Sequence, residues 1–232
     1  MTLHVMPLSG IGTVAEGDDL GDVLRPALDE IGPVPGDVLV VTHKIVSKAE
    51  GATRRIVGEE EDFKRALVEE IASSIVRRRG NLIIAETRHG FVCANAGVDR
   101  SNAAEGTMIL LPEDPDRSAH RIRMRLRQIT GVDLPVIISD TFGRPWRLGL
   151  CDIAIGLSGL LPILDLRGTR DWTGHELDVT EVAVADELAA AADLVMGKAD
   201  GIPAVLIRGY EGPRGEGRAT QLIRPVDEDL FR

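Results

Sequence analysis

The hydrophobic pattern cuts the chain into short segments whose period changes between two and about 3.6 residues. "LHVMPL" (3–8) alternates and predicts a strand. A loop with three glycines, "SGIGTVAEGDD", follows it. Leu20, Val23, Leu24, Ala27, Leu28 and Ile31 then recur at helical spacing behind Asp18 or Asp19, either of which suits an N-cap. "PVPG" (33–36) breaks the chain, and "DVLVVTHKIVS" (37–47) reads as one strong strand. Phe63, Leu67, Ile71 and Ile75 share one face of a second predicted helix. It runs on to Arg77, Arg78 and Arg79, with Gly80 as its C-cap. "LIIAET" (82–87) and "GFVCANAG" (90–97) predict two strands joined by a tight turn, and "TMILLP" (107–112) another strand.

Residues 117–129, "RSAHRIRMRLRQI", fit both periods. Apolar residues alternate with arginines at 121, 123, 125 and 127, while Ala119, Ile122, Leu126 and Ile129 keep helical spacing. Gly131 after the segment favours the helix. Its arginines form either a basic patch or an ordinary solvated face. After Pro135, Val136, Ile137 and Ile138 read as a buried strand. Asp140, Thr141, Arg144, Trp146 and Arg147 fall just past its end, where Gly143 and Pro145 bend the path. "TEVAVADELAAAADLVMG" (180–197) is the clearest helix, with Val184, Leu188, Ala191 and Val195 as its stripe and Gly197 as its stop. "IPAVLIRG" (202–209) is a last strand, and "EGPRGEGRA" (211–219) a loop. Strands and helices mix with no regular βαβ rhythm and no long repeat. This predicts an α+β fold of mixed sheets and amphipathic helices, not a doubly wound sheet.

Composition narrows the function classes. The chain has 232 residues, 44% hydrophobic but only 3% aromatic, so its core is aliphatic. That length suits a single domain over 1–232, with two intertwined lobes as a variant. A net charge of -10 argues against nucleic-acid binding, which needs a basic footprint. Mean hydropathy is +0.02 and there is no long apolar run, so no membrane partner is expected. Residues 1–12 lack the basic start and apolar segment of a signal peptide, and two cysteines make no disulfide framework. A cytoplasmic protein is the expectation.

Common catalytic signatures are absent. There is no G-x-x-x-x-G-K-[ST] and no G-x-G-x-x-G after a strand. The histidines are too scattered for a zinc site. What remains are oxygen ligands and cations at strand ends. "NAGVDRSN" (95–102) carries Asp99, Ser101 and Asn102, and "SDTFGRPWR" carries Asp140 and Thr141. Each acid also suits a plain turn or cap, but together they suit a hard divalent cation with phosphate completing its shell. Lys44 and Lys48 flank an apolar "IVS", and either could reach a phosphate. Arg144 and Arg147 beside Trp146 form a candidate fork for a carboxylate or phosphate, with turn packing as the alternative. Residues 165–182 crowd Asp165, Arg167, Arg170, Asp171, Trp172, His175 and Glu176 together, which suits a ligand loop or a solvated connection.

"VVTHKIVSKAEG", "ETRHGFVCANAGVDRSN", "SDTFGRPWRLGLCDIAIG" and "DELAAAADLVMGKADGIPAVLIRG" occur in that order. Together they resemble the coenzyme F420-0:L-glutamate ligases, GTP-dependent gamma-glutamyl ligases of deazaflavin cofactor biosynthesis. The likeness extends from "MPLSGIG" to "QLIRP". It implies a ligase fold particular to the family and an intertwined homodimer. The implied substrates are GTP, L-glutamate and F420-0. Two Mg2+ or Mn2+ ions are implied, with K+ a further candidate. Asp99 and Asp140 would bind metal, with Thr141 near a second ion. Ile11, Gly12, Thr13 and Val14 would line the nucleotide, with His43, Lys48 and Asn102. Met196, Gly197, Lys198, Ala199, Asp200, Gly201, Ile202 and Pro203 would pass beneath it.

Two positions depart from the pattern. His43 stands where many members carry Ser, and Lys198 where many carry Gln as a ligand to the second ion. A charged lysine cannot coordinate a metal and would instead offer a cation to the phosphates. Such enzymes also occur as the first part of a longer protein with a nitroreductase-like domain. A sequence ending in "DEDLFR" fits that part or the stand-alone form. Arg144 and Arg147 are candidates for holding the acidic acceptor or an acyl phosphate. A metal-dependent nucleotide phosphohydrolase and a non-catalytic nucleotide- or flavin-binding domain are the competing readings.

Overall fold

The computed structural model describes residues 2–229. In chain order its elements are β1 (His4–Pro7), α1 (Leu20–Ile31), β2 (Val38–Thr42), α2 (His43–Ala49), β3 (Thr53–Arg55), α3 (Glu60–Ile71), β4 (Ala72–Arg79), β5 (Leu82–Thr87) and β6 (Val92–Ala94). Then come β7 (Thr107–Ile109), α4 (Pro115–Thr130), β8 (Val136–Arg144), β9 (Arg147–Ser158), β10 (Leu164–Asp165), β11 (Glu181–Val182), α5 (Val184–Met196) and β12 (Ala204–Arg208). The main sheet runs β1-β12-β2-β8-β9, with β2 and β8 parallel and every other neighbouring pair antiparallel. This mixed sheet bears out the α+β expectation.

Val38 to Val41, Val136 to Ser139 and Ala204 to Ile207 are buried along their whole lengths. Such runs need cover on both faces. α4, with α1 packed on it, and α5 provide that cover. Each enclosed Val, Ile or Leu contributes about 1.5–3 kcal/mol. A second, smaller apolar cluster of Leu67, Val68, Ile83, Ala85, Ala96, Val98 and Met108 lies under α3 and the β4-β5-β6 sheet. Among the described residues no helix is long and apolar enough to cross a membrane.

Three segments differ from expectation. The run 37–47 is not one strand. Thr42 is extended, and the chain turns helical at His43, where Ile45 and Val46 stay buried on α2. An unbroken apolar run cannot separate these cases by period. The second predicted helix stops at Ile71, and Ala72–Arg79 instead pairs with β5 as an edge strand. Ser73, Ser74, Ile75 and Val76 favour the extended backbone, and the Gly80–Asn81 turn closes a hairpin. Arginines on that edge discourage pairing with another chain. Finally, β8 continues through Asp140 and Thr141 to Arg144, because β9 returns directly alongside it. These two residues are therefore held within a strand and not in a loop beyond it.

The helix reading of 117–129 holds, from its Asp114 cap to Gly131 at φ 76°. Three of its four alternating arginines are paired with acids, which argues against a basic patch. Arg121 pairs with Glu50, Arg123 with Asp133 and Glu216, and Arg125 with Asp22.

Candidate active site

One group of polar residues gathers where β2 hands over to α2, and a second lies across β8 from it. His43, the first residue of α2, is 1% exposed. Its Nδ1 lies 3.3 Å from Ser47 Oγ. Its Nε2 lies 3.2 Å from Asp140 Oδ1, at an angle that forms no hydrogen bond, and has no other partner among the described residues. Asp140 Oδ1 accepts the Thr141 amide at 2.7 Å. The next residue, Lys44, pairs with Asp99 Oδ2 at 2.6 Å and donates to Ser101 Oγ at 2.5 Å. The Ser101 amide and hydroxyl both return to Asp99. Burial works to raise the Asp99 carboxyl, but the hydrogen bonds from Lys44 and Ser101 outweigh it and hold it below its ordinary range. Consecutive residues of α2 thus face the two acids singled out in the sequence.

Side chains alternate along β8, so Asp140 and Thr141 leave it on opposite faces. Thr141 belongs to a second group. It stands directly across from Asp152 on β9 and donates to Asp152 Oδ1 at 2.6 Å. Ser139 donates to Asp152 Oδ2 at 2.9 Å. The Lys198 ammonium closes this group, 2.9 Å from Thr141 Oγ1 and 3.1 Å from Asp152 Oδ1, and paired with Asp193. Burial opposes the Lys198 charge, but Asp193 and Asp152 overcome that and raise its pKa.

The segments expected around a nucleotide gather on the same elements. Thr42 donates its amide to Pro203 O at 2.9 Å, which sets the Met196–Pro203 stretch against the start of α2. The loop holding Ile11, Gly12, Thr13 and Val14 begins beside β12, where Leu8 bonds Ala204, and is tied by Gly17 to Ala49 at the end of α2. Val14 is buried, Ile11 half-buried, and Gly12 and Thr13 are exposed. Lys48 sits in the last turn of α2, its pKa lowered by burial and by Lys44. Asn102 is exposed at φ 58°, a left-handed conformation that Asn tolerates.

Arg144 and Arg147 are not part of either group. They face each other at the tip of the β8–β9 hairpin, Arg144 about 13 Å along the strand from Asp140. Arg144 bonds the Leu148 carbonyl at 2.6 Å, and neither has an acidic partner among the described residues. Trp146, at φ 55°, forms the turn between them and is 80% exposed. The 165–182 stretch closes on itself through Asp165–Arg167, Arg167–Glu181 and the Arg170–Glu176 bridge. Among the described residues no hydrogen bond or ion pair joins it to Asp99 or Asp140.

Asp152, Asp193 and Ser139 are the site members that sequence reasoning missed. Asp152 had a signal, as a lone acid inside the apolar run "LGLCDIAIGL". Cys93 is excluded as a nucleophile, because burial, and then the charge of Asp140, push its thiol up to about 12. Among the described residues no three His, Cys, Asp or Glu side chains converge into a closed metal cage. Mg2+ and Mn2+ need few protein carboxylates, because they keep much of their shell for water and phosphate.

Residues 10–209 match the family described as F420-0:Gamma-glutamyl ligase. The chain belongs to that family. Ligases named Coenzyme F420:L-glutamate ligase are similar to it over most or all of their length. That of Methanothermobacter thermautotrophicus is 45% identical over 251 aligned positions, covering 100% of both chains. That of Methanopyrus kandleri is 46% identical, covering 100% of this chain and 98% of its own. That of Methanocaldococcus jannaschii is 46% identical over 85% of each. Family membership spans both polar groups, from the loop at Ile11 to the strand after Pro203.

Proposed function

We propose that this F420-0:gamma-glutamyl ligase family member joins L-glutamate to F420-0 at the expense of GTP, with a divalent metal ion at Asp99 and Asp140. The observation that carries the site assignment is the position of His43 and Lys44. These neighbours bring one acid from β8 and one from the loop before β7 to the same end of α2. A carboxylate does not condense with an amine at neutral pH, so it must first be activated. A carboxylate oxygen of F420-0 attacks the γ-phosphorus of GTP. The bond to the β-phosphate oxygen breaks, and GDP leaves with the electron pair. The amine of glutamate then attacks the acyl carbon, the carbon–oxygen bond to phosphate breaks, and the nitrogen loses a proton. A metal ion held by Asp99 and Asp140 would neutralise phosphate charge during the transfer.

The chain's own residues bind and orient. Lys48 and Lys44 offer cations to phosphate. The 11–14 loop and the 196–203 segment border the nucleotide, with His43 and Asn102 in contact with it. Arg144 and Arg147, with no acidic partner among the described residues, are assigned to the acceptor's carboxylate or the acyl phosphate. No side-chain nucleophile is needed. Incubation with F420-0, GTP, Mg2+ and L-glutamate should give product heavier by whole glutamyl residues, read by mass spectrometry. GDP should form only when all the substrates are present. Phosphate release without glutamate would mark a phosphohydrolase. Nucleotide and metal binding with no product would mark a binding domain.

A homodimer completes the proposal. The outer part of the β8–β9 hairpin exposes Trp146 (80%), Leu148 (97%) and Leu150 (67%), a concentration of apolar surface that favours a partner. Leu148→Lys is expected to shift the protein from dimer to monomer in light scattering. An unchanged mass would remove the hairpin from the interface.

A further inference from the structure

We infer that the Lys198 ammonium is a resident cation that takes the place of a second divalent ion, so that this chain works with one ion per protomer. The inference rests on the proposed metal site at Asp99 and Asp140 and concerns the other face of β8. There the oxygens of Thr141, Asp152 and Asp193 converge on one point, as the ligands of a hard cation would. That point is filled by Lys198 Nζ, 2.9 Å from Thr141 Oγ1 and 3.1 Å from Asp152 Oδ1, and paired with Asp193.

The anchors are fixed. Asp152 is 4% exposed and holds both Ser139 and Thr141. Asp193 lies in the last turn of α5, and Lys198 follows directly after the Gly197 stop. The carbonyl end of that helix adds further attraction for a positive charge. The Lys198 side chain is more than half exposed, so the ammonium reaches its acids from the solvent side. A divalent ion at the same oxygens would draw them in to about 2.1 Å and would have to displace an ammonium held by two acids and a hydroxyl, whereas Lys44 at Asp99 is paired with one acid. The family resemblance implies an ion near Thr141; the residues present here fit a built-in single charge instead.

The test counts bound Mn2+ per protomer by equilibrium dialysis with a non-hydrolysable GTP analogue. The native enzyme should bind one ion. Lys198→Gln, which removes the charge and supplies an amide oxygen, should bind one more. Lys198→Arg keeps the charge and should match the native count, and Asp193→Asn added to Lys198→Gln should lose the extra ion. An increment of zero in folded Lys198→Gln, or two ions in the native enzyme, overturns the inference. The count in the native enzyme separately reports the site at Asp99 and Asp140. None in the native protein but one in Lys198→Gln would remove that site and keep the role of Lys198. A second readout is the Mg2+ dependence of the rate. It should be first order in the native enzyme and steeper in Lys198→Gln.

Discussion

Asp140→Asn is expected to cost about a hundredfold or more in kcat with little change in thermal stability. The substitution keeps the shape of the side chain. Its amide oxygen can still accept the Thr141 amide, now held at 2.7 Å. What it removes is a negative charge that is only 12% exposed and faces a buried imidazole, not a cation. A loss of about 3 kcal/mol in charge stabilisation at a phosphoryl-transfer centre is about two orders of magnitude in rate. Two measurements separate this from loss of fold. The melting temperature should stay near that of the native protein, and the Mn2+ needed for half-maximal rate should rise. Asp29→Asn, an exposed change on α1 that touches the surface ion pair with Arg25, should leave both unchanged. Full turnover at unchanged metal demand in Asp140→Asn would remove Asp140 from the metal site.

Charge chemistry was legible in the sequence residue by residue, but its partition between two faces was not. "SDT" names an acid and a hydroxyl together. Only the register of β8 against β9 shows that they point apart, Asp140 toward α2 and Thr141 toward Asp152. Such pairing depends on residues distant in sequence, which local periodicity does not report. The same holds for Lys198, which the sequence offers as a cation for phosphate but whose partner Asp193 only the fold of α5 brings beside it. Elements whose signals are local came through well. Caps at Asp19 and Asp114 and stops at Gly32 and Gly131 fix α1 and α4 where the pattern placed them. Ala72–Arg79 failed because its helical stripe was a continuation of α3 by coincidence. Cross-strand pairing with β5 outweighed a single apolar residue at the right spacing. The sequence places Trp146 between two arginines, where turn packing is one reading. Its place at an exposed hairpin tip makes it a surface feature, which composition could not have shown.

The largest expected loss of stability comes from a residue with no chemistry. Gly156→Ala should lower stability by about 3 kcal/mol, at the upper end for inserting a methyl group into a filled space. Gly156 lies on β9, paired with Ile138, with a φ that any residue adopts. The obstacle is therefore steric. An added Cβ would stand 2.5 Å from the carbonyl oxygen of Pro115, the first residue of α4, and just as close to its Cβ. Backbone cannot swing aside as a side-chain tip can. α4 is also pinned there, because Asp116 accepts the Leu157 amide at 2.9 Å and the Ala219 amide at 3.0 Å. Relief would lift the start of α4 from the sheet and strain both bonds. For a chain of this size the loss corresponds to about 6–12 °C in melting temperature. Gly143→Ala is the matched comparison. Its Cβ would meet nothing within 4 Å and its φ is equally ordinary, so it should stay within about 0.5 kcal/mol of the native protein. Equal melting temperatures for the two variants would mean that α4 yields freely at Pro115, and that the sheet does not depend on this close approach.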